Sequence, residues 1–224
     1  MPHSPPAVLR RTATVALTAL ALACPGGHAV DFARMQTVVL KRFGAEGAAR
    51  IEDYRRQLPQ WQPLPVRDKL DRVNEFFNRN IRFDSDPAVW HQADYWATPA
   101  ESLGIGAGDC EDFAIAKYVA LKTLGVPVSK LRMTYVRVRI GGPSSNITQA
   151  HMVLTYYETP AAEPLVLDNL LGEIRPASRR PDLMPVFSFN NEGLWTGASP
   201  APSPVERLSR WVDLVQRMHE DGSD

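Results

Sequence analysis

Two cysteines in 224 residues are too few for a disulfide scaffold. Neither sign of charge prevails: 25 basic residues meet 25 acidic ones, with no long run of either, which leaves no surplus for nucleic acid or an anionic membrane. No apolar run reaches the roughly 20 residues that a membrane-spanning helix needs. No His/Cys cluster has zinc-ligand spacing and no glycine-rich loop has phosphate-binding spacing, so neither zinc chemistry nor direct nucleotide binding is expected. Repeats and low-complexity blocks are missing too. What is present, 44% hydrophobic residues over this length, suffices for one sizeable core and favours one soluble globular domain.

The first thirty residues stand apart. Arg10 and Arg11 precede an apolar run from Thr12 to Ala23, then Pro25, Gly26, Gly27 and a small-residue exit at Ala29. That order is a secretory signal, with cleavage expected near Ala29, residues 30–224 as the mature domain and export to the periplasm. Loss of Arg10 and Arg11 leaves 23 basic against 25 acidic residues, a net charge of −2. Cleavage also discards Cys24, so Cys110 becomes the sole thiol of the mature chain and no intramolecular disulfide is possible. A rival reading makes Cys24 a lipid-modified first residue, since Leu20 to Cys24 is loosely lipobox-like. Leu22 is bulky where such a signal wants a small residue, which weighs against it.

Along the mature chain, helical spacing from Asp31 to Leu58, broken at Gly44 and Gly47, predicts two short helices, stopped by Pro59, Pro63 and Pro65. Val66, Leu70, Val73, Phe76 and Phe77 predict an amphipathic helix started by Pro65. Asp84 to Gly108 reads as loop-rich and aromatic, with at most one short helix. Asp109 to Leu124 reads as a helix apolar on nearly every side, ended by Gly125 and Pro127. Strands are expected over Leu131–Ile140, His151–Tyr157 and Glu163–Leu167. Leu171 to Pro204 reads as irregular, and Val205 to Met218 as a last amphipathic helix with Trp211 on its apolar face.

Gly106-Ala107-Gly108-Asp109-Cys110-Glu111-Asp112 brings a cysteine to the start of the buried helix. Unpaired N–H groups and the helix dipole favour a thiolate there and can serve an oxyanion. A nucleophile needs a base, and the base an orienting partner. His151 and Asp168, on neighbouring strands, are the candidates. Singly, each has a blander reading: a small buried hydrophobe, a satisfied strand histidine, a turn acceptor. Jointly, beside a glycine-rich helix start, they point to a Cys–His–Asp nucleophilic site. Asp109, Glu111 and Asp112 oppose the dipole by putting three negative charges within a turn of the thiol. The residues alone leave two accounts of them open: helix-start capping, or a hard cation held by carboxylates. Tyr95 and Trp96 are candidates to line a cleft or complete an oxyanion site, against the commoner fate of core packing. His91 and His219 suggest no site.

The segments Gly108 to Tyr118, Gln149 to Leu154 and Leu165 to Asn169 closely resemble the bacterial transglutaminase-like cysteine proteinases of the LapG type. Val73 to Asn78, Ile81 to Phe83, Asp94 to Pro99 and Pro185 to Asn190 extend the likeness over most of the mature chain. The resemblance implies an α+β, papain-like fold, with the nucleophile at the start of a central helix packed on an antiparallel sheet. It implies Cys110, His151 and Asp168 as catalytic triad and Ca²⁺ on Asp109 and Glu111. It also implies a substrate, the N-terminal region of a large surface adhesin cut at an alanine-rich site to disperse biofilm. The implied regulator is the periplasmic domain of an inner-membrane cyclic di-GMP receptor. Two rivals share the fold: a transglutaminase passing the acyl group to an amine, and a non-catalytic binding module.

Overall fold

The computed structural model describes residues 1, 30–197, 199–200 and 208–224; the expected export signal and Cys24 lie outside them. Helical spacing builds α1 (Phe32–Trp61), broken at Gly44, whose φ of 76° and ψ of −170° suit glycine alone. The expected second break, Gly47, is instead buried inside the helix, and Pro59 sits within the last turn rather than ending it. Pro65 caps α2 (Val66–Asn80), which buries Leu70, Val73, Asn74 and Phe77.

The stretch to Gly108 holds more order than expected. It contains β1 (Arg82–Phe83), α3 (Asp86–Val89), α4 (Pro99–Ile105) and β2 (Ala107–Gly108), and β2 pairs with β1 in parallel. Thr98 starts α4 with a reciprocal capping box to Glu101. α4 lies directly on α1: a Cβ on Gly47 would come within 2.4 Å of the Gly104 carbonyl oxygen, and one on Gly104 within 2.4 Å of the Phe43 ring. Gly47→Ala is therefore expected to destabilise the protein by about 1–2 kcal/mol, overpacking outweighing the gain in helix propensity. Thermal unfolding measures it; a variant as stable as the parent would show that the two helices part freely.

Asp109 caps α5 (Cys110–Thr123), in which every residue from Asp112 to Leu121 is buried. A helix buried on all sides, and apolar on most of them, has to run through the core. It packs on a seven-stranded antiparallel sheet of order β6-β5-β4-β3-β7-β8-β9. Its strands are β3 (Leu131–Arg139), β4 (Thr148–Tyr156), β5 (Leu165–Leu167), β6 (Arg175–Pro176), β7 (Leu183–Asn190), β8 (Gly193–Thr196) and β9 (Ser199–Pro200). β4 starts three residues before the expected His151. Met133, Met152, Leu154 and Leu167 join the core that contains α5, while Val136, Val153 and Val166 form a second small cluster.

The region expected to be irregular, Leu171 to Pro204, supplies four of these strands. Its prolines hid them, since proline ordinarily marks loops or strand edges. Pro185 lies in a central strand because the β3–β7 register shifts between Tyr135 and Val136, and such a bulge tolerates a residue without an N–H. The last helix, α6 (Ser209–Asp221), buries Trp211, Leu214 and Met218; residues 205–207 of the expected span lie outside the described residues. The fold is thus α+β, a central helix on an antiparallel sheet.

Candidate active site

Cys110 opens α5, where the first backbone N–H groups have no intrahelical partner. The Asp109 N–H donates to Asp112 Oδ2 at 3.3 Å, and Asp112 Oδ1 accepts the Ala97 N–H at 2.7 Å. Asp112 is fully buried by this, and Gly108 makes room for it: a Cβ there would lie 2.5 Å from Asp112 Oδ2. The glycine-rich approach is therefore a steric need of the helix start.

β4 and β5 pair with Leu154 opposite Leu167, which brings Asp168, one residue past the end of β5, alongside β4 near His151. His151 Nε2 lies 2.8 Å from Asp168 Oδ1, both side chains being buried. With Nε2 committed to a carboxylate, Nδ1 is the ring nitrogen left to act as base. Burial pushes the Asp168 carboxyl up, yet the hydrogen bond and charge of His151, the Leu170 N–H and Arg180 outweigh it and hold the group at about 2. The stability that this carboxylate contributes is present above the ordinary Asp pKa of about 3.9 and is lost as pH falls through about 2.

Cys110 and His151 line one cleft of about 480 Å³, together with Trp96, Tyr135, Met152 and Phe187. Tyr135 and Phe187 stack with centroids 5.3 Å apart and planes at 9°. Trp96 lines this cleft and stacks on Phe189 at 5.7 Å. Tyr95 is half-buried and not part of that lining: its hydroxyl donates to Glu101 at 2.9 Å and accepts from Arg217 at 3.0 Å. Arg217, on α6, also donates to the Trp96 carbonyl at 2.6 Å, so the last helix fixes one wall of the cleft. His91 is exposed in a left-handed turn, with φ 57°.

The carboxylates dominate the electrostatics. Burial, then the charge and hydrogen bond of Glu111 and the charge of Asp109, push the Cys110 thiol well up, against a Met152 N–H that lowers it. The thiol donates to Glu111 Oε2 at 2.9 Å. Burial and Glu111 raise Asp109 to about 10, and burial raises Asp86 to about 6. Asp109 Oδ1 and Asp86 Oδ1 are buried with no hydrogen-bond partner among the described residues. Asp86, Asp109 and Asp112, and likewise Asp86, Asp94 and Glu111, bring oxygens within 4.8 Å of one another. Crowded, buried and orphaned carboxylate oxygens fit a hard divalent cation. Asp86 and Asp94 were not singled out by sequence, because only folding carries them across to Asp109 and Glu111.

Other parts also escaped the sequence reading. Arg180 Nη2 donates to Asp168 Oδ2 at 2.8 Å. Asn78, on α2, donates to the Asp168 carbonyl at 2.8 Å, and Asn74, one turn earlier, to the Gly172 carbonyl at 2.8 Å. Lys117 on α5 is buried against the Phe113 ring; burial lowers its ammonium to about 7, opposed by the charge of Asp168. The signal for the asparagines was their i, i+4 spacing on a helix whose neighbouring positions are apolar.

Comparison with known proteins identifies what the chain is similar to. The profile of the bacterial transglutaminase-like cysteine proteinases matches residues 50–196. LapG of Legionella pneumophila is 38% identical, with a TM-score of 0.71, over 86% of this chain and 99% of that one. The EGTA-treated form of that LapG gives a TM-score of 0.73 over 86% and 100% of the two chains. Its calcium-bound form gives 0.70 over 84% and 98%. No curated protein matches the chain significantly.

Proposed function

The chain belongs to the bacterial transglutaminase-like cysteine proteinases, and from that premise we propose that it is a calcium-dependent periplasmic endopeptidase acting on a large surface adhesin. The observation that carries the reading is the His151–Asp168 contact of 2.8 Å beside a cleft that His151 shares with Cys110. Cys110 Sγ attacks a peptide carbonyl carbon and forms the C–S bond. His151 Nδ1 takes the thiol proton and returns it to the departing amine as the C–N bond breaks. Water then adds to the thioester, His151 again moving the proton, and releases the acid and free Cys110. Asp168 holds the imidazole in the required tautomer and balances its positive charge. The Cys110 N–H, at the helix start, stabilises the oxyanion.

Asp109 and Glu111, with Asp86 and Asp94 near them, would hold Ca²⁺. Bound there, the ion supplies positive charge that offsets the carboxylates crowding the thiol. The aromatic cleft wall of Trp96, Tyr135 and Phe187 suits small side chains around the scissile bond, in keeping with an alanine-rich sequence. The adhesin's N-terminal region is the proposed substrate, its release disperses biofilm, and the periplasmic domain of a cyclic di-GMP receptor is the proposed regulator. Export with removal of residues 1–29 belongs to the same reading, and the mass of the periplasmic protein reports it.

The decisive experiment incubates the purified chain and Ca²⁺ with the N-terminal segment of a candidate adhesin from the same genome, with and without a primary amine. Two fragments whose masses sum to the substrate plus one water are expected. Amine-linked product would instead identify an acyl transferase. An intact substrate, with Cys110 unreactive toward a mild alkylating agent, would leave a binding module.

A further inference from the structure

Asp168 has two carboxylate oxygens with different duties. Oδ1 receives His151 Nε2 at 2.8 Å and the Leu170 N–H at 3.0 Å, while Oδ2 receives Arg180 Nη2 at 2.8 Å. We infer that Arg180 is a positioning residue for this pair, holding Asp168 by Oδ2 so that Oδ1 stays aimed at His151. The inference rests on the proposed roles of His151 and Asp168.

Arg180 is itself immobilised. Its Nε and Nη2 donate to Asp182 at 3.0 and 2.7 Å, its backbone N–H to the Ala177 carbonyl at 2.9 Å, and its carbonyl accepts the Leu183 N–H at 3.0 Å. Asp168 and Arg180 are both buried, whereas the Asp182 carboxylate reaches solvent. The result is a ladder from His151 through Asp168 and Arg180 to Asp182, anchored at its wet end. A second cation, Lys117 from α5, acts on Asp168 by charge. Charge balance alone thus leaves Arg180 partly redundant, and the planar, directed N–H of the guanidinium is the property that Lys117 does not duplicate.

Stability explains Arg180 poorly. Its Nη1 is buried with no hydrogen-bond partner among the described residues, and buried ion pairs are often no more stable than apolar side chains of the same volume. A guanidinium kept in such a place at the expense of an orphaned N–H is accounted for by what it does to Asp168.

The test uses Arg180→Lys and Arg180→Met in the full chain with Ca²⁺, cleavage of one adhesin peptide, thermal unfolding and nitrogen-15 histidine labelling. Arg180→Lys keeps the charge but loses the fork joining Asp168 to Asp182. In the folded Lys variant kcat is expected to fall about 10-fold, and in the Met variant on the order of 100-fold, with KM nearly unchanged. The Nε2–H resonance of His151, assigned by its loss in His151→Gln, should exchange faster with water in both. Either a folded Lys variant with parental kcat and resonance, or a kcat loss that merely follows the unfolded fraction, overturns the inference. A raised KM at parental kcat also overturns it, by making Arg180 a substrate contact. If the parent cuts nothing, yet the resonance responds in the Lys variant, the protease reading falls and the positioning role stands.

Discussion

Cys110→Ala is expected to abolish cleavage, with a loss on the order of 10⁵-fold or more, because the covalent step has no substitute. The fold should survive. Cys110 is only partly buried at a helix start, where alanine removes one sulfur atom and keeps helix propensity, a change of about 1 kcal/mol or less. His151→Ala should be nearly as severe for activity, since no group then protonates the leaving amine. Asp168→Asn is a harsher change than its isosteric shape suggests. It removes the buried one of the two carboxylates paired with Arg180 and leaves only solvent-reaching Asp182, and breaking a buried pair costs up to about 3–5 kcal/mol. Its cleavage rate is to be compared only at temperatures where circular dichroism shows it folded. Cys110→Ala with either second change should cut no more slowly than Cys110→Ala alone, as expected of residues acting as one unit. A folded Cys110→Ala protein that still cuts would remove the nucleophile from this position.

Stripping calcium is expected to cost cleavage on the order of 100-fold or more, with weaker folding. With free Ca²⁺ about 100 times its Kd the ion adds about 2.7 kcal/mol, or a Tm difference of about 5–10 °C for a domain of this size. The motive is the orphaned Asp86 Oδ1 and Asp109 Oδ1 within a set of carboxylates that push one another's pKa up. Asp109→Asn discriminates between the two accounts of these acids. It preserves a side-chain oxygen for the helix start while removing the charge, so a capping residue would tolerate it and a cation ligand would not. Full activity of metal-free protein in a chelator, with an unchanged Tm, would return Asp109 and Glu111 to capping alone.

Helices α2 and α5 were legible because their periodicity is long and local, whereas the short α3 and α4 were not. Val66 to Phe77 shows an apolar stripe within one turn's spacing, and Phe113 to Leu124 shows apolar residues on every side. Those patterns placed the start of α2 and both ends of α5 nearly to the residue. Strand β7 was not legible: Pro185 stands in its middle, and what makes it a strand is pairing with β3, some fifty residues earlier in the chain. Gly47 was misread for the same reason. Its meaning is a contact with Gly104, which no window around Gly47 contains.

In the candidate site the division is similar. The sequence by itself determined which residue types stand at the helix start and on the strands after it, and hence the choice of Cys110, His151 and Asp168. It also exposed the conflict between the helix dipole and the acids beside the thiol, because both belong to one short segment. The tertiary structure added burial and the Cys110–Glu111 contact to the side of the acids, and both raise the thiol. It alone brought Asp86 and Asp94 to Asp109 and Glu111, and Arg180 to the far oxygen of Asp168. Periodicity and capping act between residues a few positions apart and are written in local order. Charge compensation depends on distance in space and on how much water is excluded, and both come into being only when the chain has folded.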